Sequence, residues 1–201
     1  MKLARPLGTA ASAVLVFGSG IAAGAYYHTE LSVLWQHMVR ARFEAPFAPI
    51  PIPSPAASAS AIELPGLGES LPLVYSDTLE EDKIQDLLKK GAVVLPLGTA
   101  FGEPGNVVVT AHSSGTEAFG PYRFAFAKLA EIKEGQEYTI STPTARYTYR
   151  VYGHEIIWPH EVDKLPNDDR STVTLVTCWP LWTNFKRLLV HSELVNVEYK
   201  I

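Results

Sequence analysis

Apolar and polar positions along the chain fall into three regimes. Leu7 to Tyr27 (LGTAASAVLVFGSGIAAGAYY) contains no charged residue. Between Ala45 and Pro55 a proline stands at every second or third position. From about Ile62 onward, short β-branched runs alternate with clusters of Gly, Pro, Asn and Asp, such as Gly102-Glu103-Pro104-Gly105 and Pro166-Asn167-Asp168-Asp169. This last pattern predicts strands near Asn106–His112, Gln136–Thr142, Arg146–Trp158, Ser171–Cys178 and Arg187–Glu198. Regularly spaced short strands with few helices predict an antiparallel barrel or sandwich. One helix is signalled over Thr78–Lys90. Asp77 with Glu80, or Thr78 with Glu81, has capping-box spacing, Leu79, Ile84, Leu87 and Leu88 form a stripe, and Gly91 is a stop. Phe124–Ile132 (FAFAKLAEI) reads as a short helix across one end.

The first regime is long enough to span a membrane. At about 1.5 Å rise per residue it covers roughly 31 Å, the thickness of a bilayer core. Lys2 and Arg5 precede it, and the next basic residues are Arg40 and Arg42, so the positive-inside rule places the N-terminus in the cytoplasm and the rest outside. The alternative is a cleaved signal peptide, for which Ala23-Gly24-Ala25 supplies an A-x-A site. Either reading exports the remainder. Dense proline excludes helix and central strand and favours an extended spacer. The chain thus divides into an anchor (1–27), a juxtamembrane segment with a Pro/Ala/Ser-rich linker (28–61) and a folded domain (62–201).

Composition sharpens this division. The 201 residues are 47% hydrophobic, which supports a core and excludes a fully disordered chain. Only 19% are charged, and a net charge of -4 gives no electrostatic case for nucleic-acid binding. A single cysteine, Cys178, excludes an internal disulfide and a multi-cysteine metal site.

Cys178 ends the run Thr172-Val-Thr-Leu-Val-Thr-Cys178. Strand alternation groups it with Thr172, Thr174 and Val176, the more polar face. A lone cysteine is ordinarily a buried, inert thiol. An exported free thiol is a liability unless it is used. A thiolate nucleophile needs a base or a positive neighbour. Of six histidines, His112 closes a short apolar strand and opens the Ser113-Ser114-Gly115 loop, a rim position; its plain alternative is a hydrogen-bonded surface histidine. Arg187 begins the strand after the Cys178 loop, where antiparallel pairing would return it to the thiol; otherwise it is a solvated strand-start arginine. His154-Glu155 and His160-Glu161 lack H-E-x-x-H spacing, so no metal site is expected. No cofactor is expected either.

Two motifs tie these residues together. Thr174-Leu175-Val176-Thr177-Cys178, followed by Arg187-Leu188-Leu189-Val190, resembles the T-L-x-T-C signature and R-L-[IVL]-V strand of the sortases, the membrane-anchored cysteine transpeptidases of bacterial cell surfaces. Pro104 to His112 resembles the segment carrying the sortase histidine, and Leu97-Gly98-Thr99-Ala100 resembles the family's P-G-T-A. Ala111 replaces a usual glycine and Leu97 a usual proline. The resemblance spans about Glu63 to Val195. It implies a closed eight-stranded β-barrel with one or two short helices, and His112, Cys178 and Arg187 as the catalytic triad. It further implies cleavage of a Leu-Pro-x-Thr-Gly-like sorting motif through a thioacyl intermediate. Its partners would be surface proteins or pilins bearing that motif and an amine of the cell wall or a pilin lysine. Thr177 would orient substrate or Arg187; Trp179 and Trp182 would contact the motif leucine or simply pack. The loops 158–170 and 179–185 would flank the substrate. The competing expectations are an anchored adaptor with a retired site and a cysteine endopeptidase that only hydrolyses.

Overall fold

The computed structural model describes residues 60–66, 70–165 and 169–200. The expected anchor and nearly all of the linker lie outside the described residues, among which no helix is long and apolar enough to cross a membrane. Eight strands form a closed barrel: β1 (Ala61–Glu63), β2 (Leu71–Tyr75), β3 (Ala92–Val94), β4 (Gly105–Thr110), β5 (Glu137–Ser141), β6 (Ala145–Ile157), β7 (Ser171–Trp179) and β8 (Lys186–Tyr199). Their order around the barrel is β1-β2-β3-β4-β7-β8-β6-β5, and β5 returns to pair with β1.

The five longer strands lie within a residue or two of their expected positions. The pattern did not announce β1, β2 and β3, because three to five residues are too few to show a period. The expectation of a wholly antiparallel sheet is corrected: β2 pairs with β3, and β4 with β7, in parallel. Parallel neighbours need crossover connections. The helix α1 (Glu81–Leu88) lies in the first crossover, and the long stretch from β4 to β7 makes the second.

Helix α1 starts three residues later than expected, and neither capping box forms. The Thr78 hydroxyl instead accepts the Glu80 N–H at 3.2 Å, a local turn that holds the chain out of the helix. Gly91 follows the helix at φ +157, and a Cβ there would lie 2.3 Å from the Pro72 carbonyl oxygen. The Phe124–Ile132 segment is not an α-helix but a run of turns ending in a 3-10 turn, Leu129–Glu131. Its apolar residues Ala125, Phe126, Leu129 and Ile132 are all buried in the main core.

Inside the barrel, alternate residues of each strand make that core, among them Ile62, Leu71, Val107, Val109, Tyr149, Val173, Leu175, Leu188 and Val190. A second cluster sits on the outer face: Val108 of β4, Val176 of β7, Leu189 of β8 and Ile157 of β6, covered by Leu95 and Leu165. Strands β4, β7 and β8 are therefore buried on both faces here, which is why their sequences read as nearly continuous apolar runs.

Candidate active site

The outer face of β7 builds the site. Val173 and Leu175 point into the barrel core, while Val176 lies in the outer cluster. The same alternation puts Cys178 on the outer face, at the end of the strand. Strand β8 runs antiparallel beside it in a register that sets Arg187 directly opposite Cys178. Leu188 and Val190 point inward and Leu189 outward, so Arg187 shares the outer face. Lys186 stands opposite Trp179 instead, and its ammonium lies 4.9 Å from the centre of the Trp158 ring. The register therefore separates the two adjacent basic residues by face.

On the other side of β7, the parallel pairing with β4 ends at Thr110 and Val176. Three bonds carry the association further. Ala111 N–H donates to the Val176 carbonyl at 3.2 Å. The Thr177 hydroxyl donates to the Ala111 carbonyl at 2.7 Å. The Ser113 hydroxyl donates to the Cys178 carbonyl at 2.9 Å. Val107, Val109 and Ala111 pack inward, and Val108 lies outside. Carried one step past the strand, this alternation brings His112 to the Cys178 face. The His112 carbonyl accepts the Phe126 N–H at 2.8 Å, so the Phe124–Ile132 segment pins its backbone. Its ring meets Phe119 edge-on at 4.8 Å.

His112 is 7% exposed, and its Nε2 has no hydrogen-bond partner among the described residues. Burial lowers its pKa from the ordinary value, opposed by the negative charge of Glu81 on α1. A neutral imidazole with an unengaged nitrogen is equipped to take up or release a proton. The Arg187 guanidinium donates through Nη1 to the Asn184 and Lys186 carbonyls, both at 3.1 Å, which fixes one edge of its fork.

Two cavities meet at Cys178, and His112 and Arg187 line both. One, of about 380 Å³, is largely apolar, lined by Leu79, Leu95, Leu97, Val108, Leu165 and Val176 together with Thr177. The other, of about 690 Å³, has the polar residues Ser114, Thr116, Thr183 and Asn184 in its wall beside Phe119 and Trp182. The segment 158–165 contributes Pro159 and Leu165 to the first. The β7–β8 loop contributes Trp182, Thr183 and Asn184 to the second. That loop follows a cis Trp179–Pro180 bond. It is latched by Trp182 N–H donating to the Ser114 hydroxyl at 2.7 Å, with Trp182 at φ +66. Gly98 of the L-G-T-A segment backs onto β4, where a Cβ would lie 1.9 Å from the Asn106 carbonyl oxygen, so no larger residue fits.

Of the six residues singled out in the sequence, the fold brings Cys178, His112 and Arg187 together. Thr177 borders the apolar cavity with its hydroxyl committed to Ala111. Trp182 stands in the larger cavity, 54% exposed. Trp179 packs against the main core and lines neither cavity. Sequence reasoning missed Ser113, whose signal was its place beside His112, and Glu81, which reads in the sequence only as a capping-box partner of Thr78. Among the described residues no group of three or more His, Cys, Asp or Glu side chains could hold a metal ion.

A closed barrel with a cysteine on its outer face, between an arginine in register and a buried histidine, defines a thiol-nucleophile scaffold. The sortase domain profile matches residues 62–195. The chain belongs to the sortase family, whose members are cysteine transpeptidases of the cell surface. Sortase A of Bacillus anthracis is 24% identical over 139 residues, covering 69% of this chain and 60% of that protein, so this chain spans under two thirds of that relative. A crystal structure of Clostridium perfringens sortase C with the C-terminal cell wall sorting motif is 30% identical, with a TM-score of 0.55 over 68% of this chain and 69% of that one. Sortase C-1 of Actinomyces oris is 27% identical, with a TM-score of 0.56 over 69% of this chain and 75% of that one.

Proposed function

We propose that this chain is a membrane-anchored transpeptidase that cleaves a Leu-Pro-x-Thr-Gly-like sorting motif and joins the acyl part to an amine at the cell surface. The observation that carries the reading is Cys178 at the junction of two cavities, with Arg187 opposite it in register and His112 bordering both. The Cys178 thiol passes its proton to His112, and the thiolate attacks the carbonyl of the motif threonine. Arg187 donates to the oxygen as it becomes an oxyanion. His112 gives a proton to the departing amine, leaving a thioester on Cys178. An incoming amine attacks that thioester, its proton passes to His112, the new amide forms and the thiolate is released. Water competes at the same step.

The apolar cavity, walled by Leu79, Leu95, Leu97 and Leu165, suits the motif's leucine and proline. Motif recognition is supported by the Clostridium perfringens sortase C, whose structure holds its C-terminal cell wall sorting motif. The span 7–27 anchors the chain with its N-terminus inside, and the linker holds the domain away from the membrane.

The test is a panel of fluorogenic motif peptides, with and without an added amine, and acyl-enzyme trapping by intact mass. A mass increase equal to the acyl fragment, absent in Cys178→Ala, is expected together with amine-dependent product. No turnover of any peptide supports the adaptor, and cleavage indifferent to amine supports the hydrolase.

A further inference from the structure

Any acceptor amine arrives as an ammonium ion, because alkyl amines are protonated near neutral pH. The acceptor must therefore be recognised as a cation before it loses protons. The two cavities hold three groups that repel or ignore such a cation: Arg187, Lys89 and the apolar wall. Among the described residues, Glu81 is the one carboxylate in either wall, and it borders both.

Local bonding prepares it. Glu81 opens α1, and Gln85 one turn later donates through Nε2 to its Oε1 at 2.8 Å. That bond orients the carboxylate, and no other hydrogen bond of it is made among the described residues. Lys89, the lysine that shares this cavity wall, is paired with Asp86 at 2.7 Å, and Lys83 on the helix is paired with Glu80 at 3.3 Å. The Glu81 charge also acts on His112, the proton acceptor, which places it within electrostatic reach of the reacting end of the cavity.

We propose that Glu81 binds the ammonium of the acceptor in the larger cavity and presents it to the Cys178 thioester. This rests on the transpeptidase reading above. The bound ammonium loses one proton to water. The neutral amine attacks the thioester carbonyl, the C–S bond breaks as the C–N bond forms, and the second proton goes to His112. Glu81 is exposed, so its pair with the ammonium has the strength of an exposed ion pair, worth about two- to fivefold in affinity.

The experiment uses the full chain in detergent, a motif peptide and two acceptors: triglycine, cationic at neutral pH, and hydroxylamine, which is neutral there. The readout is the ratio of amide product to hydrolysed acid as acceptor is varied. In Glu81→Gln the triglycine concentration that halves hydrolysis should rise about two- to fivefold. Glu81→Lys should raise it further, Glu81→Asp should recover part of it, and the hydroxylamine ratio should hold. An unchanged triglycine ratio in both Glu81→Gln and Glu81→Lys overturns the assignment. An equal shift with hydroxylamine also overturns it, since Glu81 would then act through His112 rather than on the cation. Absence of any acyl-enzyme in the unaltered chain overturns the transpeptidase reading itself, and this assignment with it.

Discussion

Replacing Arg187 by lysine keeps the charge opposite Cys178 and removes the planar fork. In the register observed, the two residues face each other across neighbouring strands, with Cβ atoms about 4.5–5.5 Å apart. Nη1 is tied to the Asn184 and Lys186 carbonyls, so the remaining edge of the guanidinium is the one that can meet an oxyanion beside the thiol. Two physical roles predict different losses. As a diffuse positive field Arg187 would be replaced well by lysine, because a unit charge moved by an ångström or two at a half-exposed site alters the energy by less than about 1 kcal/mol, a few-fold in rate. As a placed oxyanion donor it would not, and losing such a donor costs about 10²–10³ in kcat. The rate of acyl-enzyme formation in single turnover, read by quenched mass spectrometry with a motif peptide, separates the two. Arg187→Lys should fall in the second range while its melting temperature stays near that of the unaltered chain. Lys186→Ala is the control. Its ammonium lies over Trp158 on the other face, so its loss should cost about 0.5–1 kcal/mol of stability and leave acylation intact. Arg187→Lys keeping a third or more of the rate would refute the oxyanion role, and a collapse in Lys186→Ala would refute the register argument.

Ser113→Ala should destabilise the domain by about 1–3 kcal/mol in urea denaturation, because the buried hydroxyl that holds the Cys178 carbonyl has no substitute in alanine. Stability should also fall with acid. His112 and His191 both have pKa values lowered by burial, the latter opposed by Glu155. Below about pH 6.5 the unfolded chain takes up protons that the folded chain does not, so stability is lost as pH falls and is fully present above that value. Melting temperatures between pH 5 and 8 should rise with pH, and His191→Gln should reduce the slope; a flat profile in the unaltered chain would contradict the burial argument.

How much of this was legible beforehand depended on how local each feature is. The long strands β6, β7 and β8 announced themselves, because nine or more residues of β-branched and aromatic character outlast any ambiguity of period. The face of Cys178 followed from alternation alone, since it depends only on counting along one strand. The motif around Cys178 and Arg187 carried the family resemblance for the same reason: its residues are close in sequence. Three features became visible only in the folded structure. The parallel pairings of β2 with β3 and β4 with β7 arise from crossovers whose geometry no single segment contains. The start of α1 was moved to Glu81 by a competition between two local hydrogen-bond patterns, of which the Thr78 turn won. Glu81 and His112 are 31 positions apart in the chain, and nothing in their own neighbourhoods links them. They line the same cavities because α1 packs against β3, and β3 pairs with β4, the strand that leads to His112. Periodicity records which side of a strand is buried. Which buried sides meet is set by the register and order of strands, and those are fixed by the packing of the whole core.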